Sequence, residues 1–304
     1  MEDFKGILLI IFFSITCFSK EISLSFDDAP LGDGLYFSGT QRTQHLIKEL
    51  KAAGVERAAF YVNTSRIYGE RELERLKAYK SNGHLIGNHT HSHLNLKYSS
   101  TEDYLKDLDQ ADSILSELNL LDKYFRFPFL RRGKNKEEVE SIRNHIVEKG
   151  YVDAFVTVDN FDFYMNKLFQ DALKGNKNVD MDRLRTFYVD TLIQGVEFYE
   201  KLGNKVYKTP VRHVLLLHEN DLAALFIKDL VNALKSKGWK IISPERAYSD
   251  PKTKVYPQNT LNHGQGRIVA HAVEFKVLGP YRSRNENTDF LDKLFDEYKI
   301  ILTP

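Results

Sequence analysis

The stretch Glu21–Asp28 reads EISLSFDD, and the rest of the fold is predicted outward from it. Its Ile, Leu and Phe residues favour an extended backbone, and Ala29-Pro30 ends the strand because proline cannot continue a ladder. Asp27 and Asp28 therefore lie at the C-terminal end of a predicted strand. Side chains alternate across a strand, so one carboxylate could bind a metal while the other accepts a proton. An ordinary acidic turn is the alternative interpretation.

Strand-like and helix-like segments alternate after this stretch. The further predicted strands are Ala58–Val62, His84–Gly87, Tyr124–Phe127, Tyr151–Val158, His213–Leu217 and Lys240–Ile242. The predicted helices are Thr40–Ala53, Glu70–Ser81, a helix from a capping box at Ser99-Ser100-Thr101-Glu102 to about Leu118, Asn135–Lys149 and Leu222–Lys237. This alternation predicts an α/β fold with about seven parallel strands in a closed barrel. No nucleotide-binding glycine motif follows a strand, which counts against an open doubly wound sheet.

Two segments depart from the alternation. Residues 164–206 are mainly helical and predict an insertion on the side where the strands end. Residues 250–304 are polar and contain several prolines, so we expect a peripheral C-terminal extension with a helix at Thr288–Tyr298. The main domain is predicted to span residues 20–249.

The overall composition indicates one large domain rather than two equal ones. The chain has 304 residues, of which 42% are hydrophobic, enough for a sizeable core. Lys and Arg together number 43 and Asp and Glu 42, so no charge excess indicates a nucleic acid or an acidic membrane as partner. The sequence leaves the oligomeric state open.

The N-terminal residues 1–19 resemble a secretory signal, with an apolar run from Ile7 to Phe13 behind Lys5. This predicts an exported protein. A buried N-terminal strand or helix is one alternative, and a lipid anchor at Cys17 is another. Cys17 is the only cysteine, so no intramolecular disulfide can form.

A histidine cluster follows the strand that ends at Gly87. The segment reads Asn88-His89-Thr90-His91-Ser92-His93, and His89 and His93 would share a face if it were helical. Two imidazoles and one carboxylate can hold a divalent metal and leave positions for water and substrate. His91 would point away.

Later strand ends carry further polar groups. Arg126, in the run RFPF, could orient a carboxylate through a bidentate pair. The run Asp159–Phe163, DNFDF, is an acidic and aromatic cluster. His218 closes the apolar run Val214–Leu217, which favours a side chain that faces the site over one in the core.

Taken together, the motifs FDD, HTHSH, RFPF, DNFDF and LLLH resemble, in this order, the polysaccharide deacetylase family, carbohydrate esterase family four, over about residues 21–245. The resemblance implies a distorted (β/α) barrel and a metal-dependent deacetylase. Zinc is the ion that it implies, with cobalt, manganese and nickel as alternatives.

The resemblance also implies a role for each matching residue. It makes Asp28, His89 and His93 the metal ligands and Asp27 the general base, which Arg126 positions. It makes His218 the general acid and Asp162 the residue that tunes His218. It also makes the Phe129 N–H an oxyanion donor and Phe163 part of the groove wall. Ala29, Phe129, Leu130-Arg131-Arg132 and Phe163 depart from the family pattern, which leaves the groove shape and the substrate open.

The implied reaction is removal of acetyl groups from N-acetylated sugars of a glycan. Two alternatives remain at this point, an O-acetyl esterase acting on a polysaccharide and an exported carbohydrate-binding protein without catalysis. The complete set of acid, base and ligand residues argues against the second.

Overall fold

The computed structural model describes residues 20–260 and 265–302. Its strands are β1 Lys20–Ala29, β2 Ala59–Val62, β3 Leu85–Asn88, β4 Tyr124–Phe125, β5 Val152–Asp153, β6 Arg212–His218 and β7 Trp239–Ile241. Its helices are α1 Gly39–Ala52, α2 Glu70–Ser81, α3 Thr101–Glu117, α4 Lys136–Glu148, α5 Asp162–Lys174, α6 Met181–Tyr207, α7 Asp221–Ser236, α8 Pro244–Tyr248, α9 Arg267–Glu274 and α10 Thr288–Glu297. The predicted signal and the lipid anchor at Cys17 lie outside the described residues.

The seven strands form one sheet in which every pairing is parallel, in the order β5-β4-β3-β2-β1-β6, with β7 beside the start of β1. The predicted barrel-like α/β fold of about seven strands is therefore confirmed. β1 is the central strand, since it pairs with β2, β6 and β7. Its residues Ile22, Leu24 and Phe26 are fully buried, which agrees with the apolar character of this stretch.

The predicted strand Tyr151–Val158 changes partner part-way along. Only Val152–Asp153 pair with β4, whereas Val158 forms a parallel bridge to Leu215 of β6. The segment between them leaves β4 and crosses to β6. This crossing joins the two ends of the strand order.

Most helix ends agree with the predicted signals. Gly54, Gly83, Gly150 and Gly238 follow α1, α2, α4 and α7 with φ of 71°, 86°, 75° and 82°, the left-handed conformation in which glycine is unstrained. The N-terminal cap of α3 lies one residue later than the sequence predicts. Its cap is Ser100, whose side chain accepts a hydrogen bond from the Asp103 N–H.

The C-terminal extension is not peripheral, contrary to expectation. Ile268, Val269, Leu291, Phe295 and Ile300 are buried in the main core. α10 confirms the predicted helix at Thr288–Tyr298, whereas the polar composition of the extension hid the amphipathic helix α9. The domain boundary at residue 249 stays a prediction.

The predicted insertion also differs from expectation. It forms α5 and α6, and α6 buries Leu192, Val196 and Tyr199 in the same core. None of residues 164–206 lines the large pocket at the strand ends. α6 therefore packs in the core instead of lying at the strand ends, where the insertion is predicted.

Candidate active site

The carboxyl ends of β1, β3, β4 and β6 meet around one pocket of about 370 Å³. Parallel strands bring their C-terminal ends to the same side, as in other α/β barrels. Among the predicted site residues, the pocket is lined by Asp27, Asp28, His89, His93, Phe129, Phe163 and His218. The other two, Arg126 and Asp162, lie behind it and contact Asp27 and His218.

Asp28, His89 and His93 form a cluster that could hold a metal ion. Each offers one ligand atom, and the three atoms lie within 4.8 Å of one another. His89 and His93 are not on a helix as expected, because a loop in which Thr90 and His93 have φ of 66° and 59° brings the two rings together. His91 turns away, with Nδ1 at 2.9 Å from Thr64 Oγ1.

The donor atoms of this cluster fit a cation. The Arg126 carbonyl accepts a hydrogen bond from His89 Nδ1 at 2.8 Å, which leaves the Nε2 lone pair directed toward Asp28. Burial holds the pKa of His89 well below its usual value, so the ring is neutral, as a ligand must be. Asp28 Oδ1 is buried without a hydrogen-bond donor, and a divalent ion would satisfy it.

Asp27, the neighbour of Asp28 on β1, is held by Arg126. Arg126 Nη1 donates to both Asp27 carboxylate oxygens, at 2.9 and 3.1 Å. A single nitrogen makes both bonds, so this is not the predicted bidentate fork. Burial raises the pKa of Asp27 to about 6, although Arg126 and His218 act to lower it.

Arg126 is itself fixed by residues that the sequence did not single out. Its Nη2 donates to Ser25 Oγ at 3.1 Å and to the Tyr248 hydroxyl at 3.2 Å. Its guanidinium lies 4.3 Å from the centre of the Tyr61 ring. Tyr61 lies in the apolar run Ala58–Val62 and Tyr248 in the polar segment Ser243–Asp250, and neither belongs to a motif, so nothing in the sequence pointed to them.

His218 closes β6 and is paired with Asp162 at the first position of α5. Asp162 Oδ1 lies 2.6 Å from His218 Nδ1, and Oδ2 accepts the His218 N–H at 2.8 Å. Burial lowers the pKa of His218, but the Asp162 carboxylate outweighs it and raises the pKa to about 9. His218 also stands opposite Asp27 in the β1–β6 register, so the two groups face the same pocket.

Phe129 and Phe163 are both about half exposed on the pocket wall. The Phe129 ring lies 4.5 Å from that of His93, and its backbone is left-handed with φ of 55°. The Phe163 ring lies 5.6 Å from that of His218. Two flat apolar surfaces therefore flank the polar groups.

The C-terminal extension supplies Gln265, Arg282 and Glu286 to the same pocket. None of them belongs to a motif or follows a predicted strand, so no sequence signal pointed to them. Asp159 and Asn160 also line the pocket, and these two stood in the DNFDF cluster.

Comparison with known proteins agrees with this geometry. The family model described as polysaccharide deacetylase matches residues 17–145. A chitin deacetylase of Colletotrichum lindemuthianum is 22% identical over 243 residues, which cover 77% of this chain and 82% of that protein. The matched stretch is less than half of the chain, and over it the chain is similar to polysaccharide deacetylases.

A peptidoglycan-N-acetylglucosamine deacetylase of Bacillus cereus is 27% identical over 135 residues, covering 44% of this chain. The match spans 45% of that protein, less than half of its length. The solved structure of the Colletotrichum lindemuthianum chitin deacetylase aligns with a TM-score of 0.53 at 20% identity, covering 82% of this chain and 95% of the other. This likeness agrees with the distorted barrel.

Proposed function

We propose that this protein is a metal-dependent hydrolase that removes acetyl groups from N-acetylated sugars of a glycan. The observation that carries the proposal is the meeting, in one pocket, of the Asp28, His89 and His93 cluster, the Asp27–Arg126 pair and the His218–Asp162 pair. Metal-assisted hydrolysis of an amide requires a set of metal ligands, a general base and a general acid in one pocket. The similarity to polysaccharide deacetylases supports the same chemistry.

Asp28, His89 and His93 would hold the ion, and zinc fits two imidazoles and one carboxylate. When bound, such an ion acts as a Lewis acid that polarises a carbonyl and makes water more acidic. Asp27, oriented by Arg126, accepts a proton from the attacking water. The Phe129 N–H is the proposed donor to the oxyanion that forms from the acetyl carbonyl.

His218 then protonates the departing nitrogen, because an amine leaves poorly without a proton. The pair with Asp162 keeps the imidazole charged at neutral pH, which suits a general acid. Acetate and a free amino sugar are the products. Phe163 forms part of the groove wall beside His218.

The test is release of acetate from N-acetylglucosamine oligomers and from O-acetylated xylan, with and without a chelator. We expect release from the N-acetylated substrate, its loss with chelator and its return with zinc, cobalt, manganese or nickel. Release from xylan alone would identify an O-acetyl esterase. Absence of release from both would favour a carbohydrate-binding protein.

The proposed ligands are tested separately by metal content. Replacing both His89 and His93 by Ala should lower the bound metal, since loss of a ligand costs at least about tenfold to a hundredfold in affinity. His91→Ala is the matched control, because His91 bonds to Thr64 outside the cluster. Equal metal content in the double variant and the wild type would overturn the assignment.

The proposal includes export, for which residues 1–19 are the evidence. In the part of the chain that the structure describes, we find no helix with the length and apolar character needed to cross a membrane. Processing after Ser19 would be detected as a shorter N-terminus in mass spectrometry of the secreted protein. Lipidation at Cys17 would instead add the mass of acyl chains.

A further inference from the structure

The pocket wall that the C-terminal extension builds contains hydrogen-bond acceptors without donors. Glu286 is 6% exposed, and its Oε1 accepts from the Tyr199 hydroxyl at 2.6 Å and from the Ser283 N–H at 3.1 Å. Among the residues that the structure describes, its Oε2 has no hydrogen-bond partner. Gln265 is 5% exposed, and its Oε1 likewise has no hydrogen-bond partner among them. Buried acceptors in this state are destabilising unless a ligand satisfies them.

Asp159 adds a second carboxylate to this wall. It is buried, and Oδ1 accepts only the N–H of its neighbour Asn160, at 2.8 Å. Burial and the nearby Glu286 raise the pKa of Asp159 to about 8, because a buried carboxylate beside a second one is less stable when charged. Arg282 is exposed at the same pocket and offsets part of this charge.

The wall is rigidly supported from outside the pocket. α6 holds the extension through the Tyr199 hydroxyl on Glu286 and through the Thr191 carbonyl, which accepts from Asn285 Nδ2 at 2.9 Å. The acceptors are thus fixed in place before a ligand arrives, which lowers the entropic cost of binding.

We propose that Gln265, Glu286 and Asp159 form a sugar subsite that binds the hydrogen-bond donors of the unit next to the acetylated one. The inference rests on the proposed function, because that function places a glycan in this pocket. A sugar unit offers donors as hydroxyl groups or, once deacetylated, as an ammonium group. The exposed faces of Phe129 and Phe163 provide apolar surface for the ring in the same pocket.

The experiment measures binding of two probes, the tetramer of N-acetylglucosamine and the tetramer of glucosamine, by calorimetry. It is done in the Asp27→Asn background so that the acetylated tetramer is not consumed. Glu286→Gln, Gln265→Ala and Asp159→Asn are compared with Glu297→Gln, which removes the same charge from an exposed position on α10. We expect each pocket variant to weaken binding by about tenfold to a hundredfold, and the control to leave it unchanged.

The two probes identify the donor. If affinity for both tetramers is lost, the donors that the subsite binds are hydroxyl groups. If affinity for the glucosamine tetramer alone is lost, the donor is the ammonium group. Unchanged affinity for both in all three pocket variants overturns the subsite. If neither tetramer binds to the parent protein, the proposed subsite is overturned as well.

A second readout separates the subsite from general damage to the fold. With Asp27 intact, the metal content should stay at wild-type level in Gln265→Ala and Glu286→Gln, because neither residue belongs to the proposed ligand cluster. A parallel loss of metal would mean that these residues support the fold instead. If the wild type binds both tetramers through Glu286 yet releases no acetate, the proposed function fails while the subsite stands.

Discussion

His218 and Asp162 show how one contact sets the working range of a catalytic group. An isolated imidazole would be mostly neutral at pH 8, whereas a charged acid is needed for the amine to leave. The carboxylate at 2.6 Å from Nδ1 favours the charged form strongly enough to overcome the cost of burial. Because a general acid must be protonated, amide hydrolysis should fall as the pH rises through the pKa of His218, near 9.

Asp162→Asn should shift this alkaline limit to lower pH. The amide retains the shape of the side chain but not its charge, so the pKa of His218 should fall by about 1–3 units. The measurement is the pH–rate profile of acetate release from an N-acetylglucosamine oligomer. Asp171→Asn, an exposed change on the same helix, is the control. An unshifted profile with a lower maximum would mean that Asp162 only holds the ring in place.

Asp27→Asn should keep the metal and lose the reaction. The amide is nearly isosteric and can still bond to Arg126, but it cannot accept the proton of water. Loss of a general base costs about a hundredfold to ten-thousandfold in rate. Metal content and acetate release are measured together. If Asp27→Asn lost the metal while Asp28→Asn kept it, the two roles would have to be exchanged.

At the scale of elements, β3 must lie very close to its neighbours to deliver His89 to the pocket. A Cβ at Gly87 would stand 2.5 Å from the Tyr61 ring and 2.8 Å from the Tyr124 carbonyl oxygen. Tyr61 in turn packs on the Arg126 guanidinium. The absence of a side chain at Gly87 therefore allows both the histidine and the arginine to take their positions.

Gly87→Ala should destabilise the protein by about 1–3 kcal/mol, because the strand cannot move away from the ring without strain. Gly32→Ala is the matched control, since a Cβ there meets no atom within 4 Å. Both are compared by the midpoint of urea unfolding. Equal midpoints would show that the sheet opens at Gly87 at little cost.

At the scale of the whole molecule, the C-terminal extension is part of the core and of the pocket. Leu291 on α10 is fully buried, and the Phe295 ring lies 5.6 Å from that of Phe187 on α6. Residues that lie far apart along the chain therefore stabilise one another. Removal of the extension would expose the core as well as open the pocket.

Leu291→Ala should cost about 2–5 kcal/mol of unfolding free energy, because the cavity it leaves in a packed core is only partly filled. Leu278→Ala changes the same side chain at a position that is 88% exposed, and should change stability by less than about 0.5 kcal/mol. Denaturant unfolding of both variants measures the difference. Similar midpoints for the two would mean that the extension folds separately from the barrel.

The sequence by itself determined the barrel-like fold, most element bounds and the residues of the Asp28, His89 and His93 cluster. These features depend on local patterns, since apolar periodicity, glycine stops and polar residues at strand ends can all be read within a short window. The helix Glu70–Ser81 was predicted to the residue for this reason.

Only the tertiary structure decided what depends on distant contacts. It showed that a left-handed loop rather than a helical face brings His89 and His93 together, that Tyr61 and Tyr248 fix Arg126, and that Glu286 reaches the pocket. A polar segment such as the extension has no local feature that reveals which groups it will contact. Burial and pairing of such residues follow from the packing of the whole chain, which no short window of sequence contains.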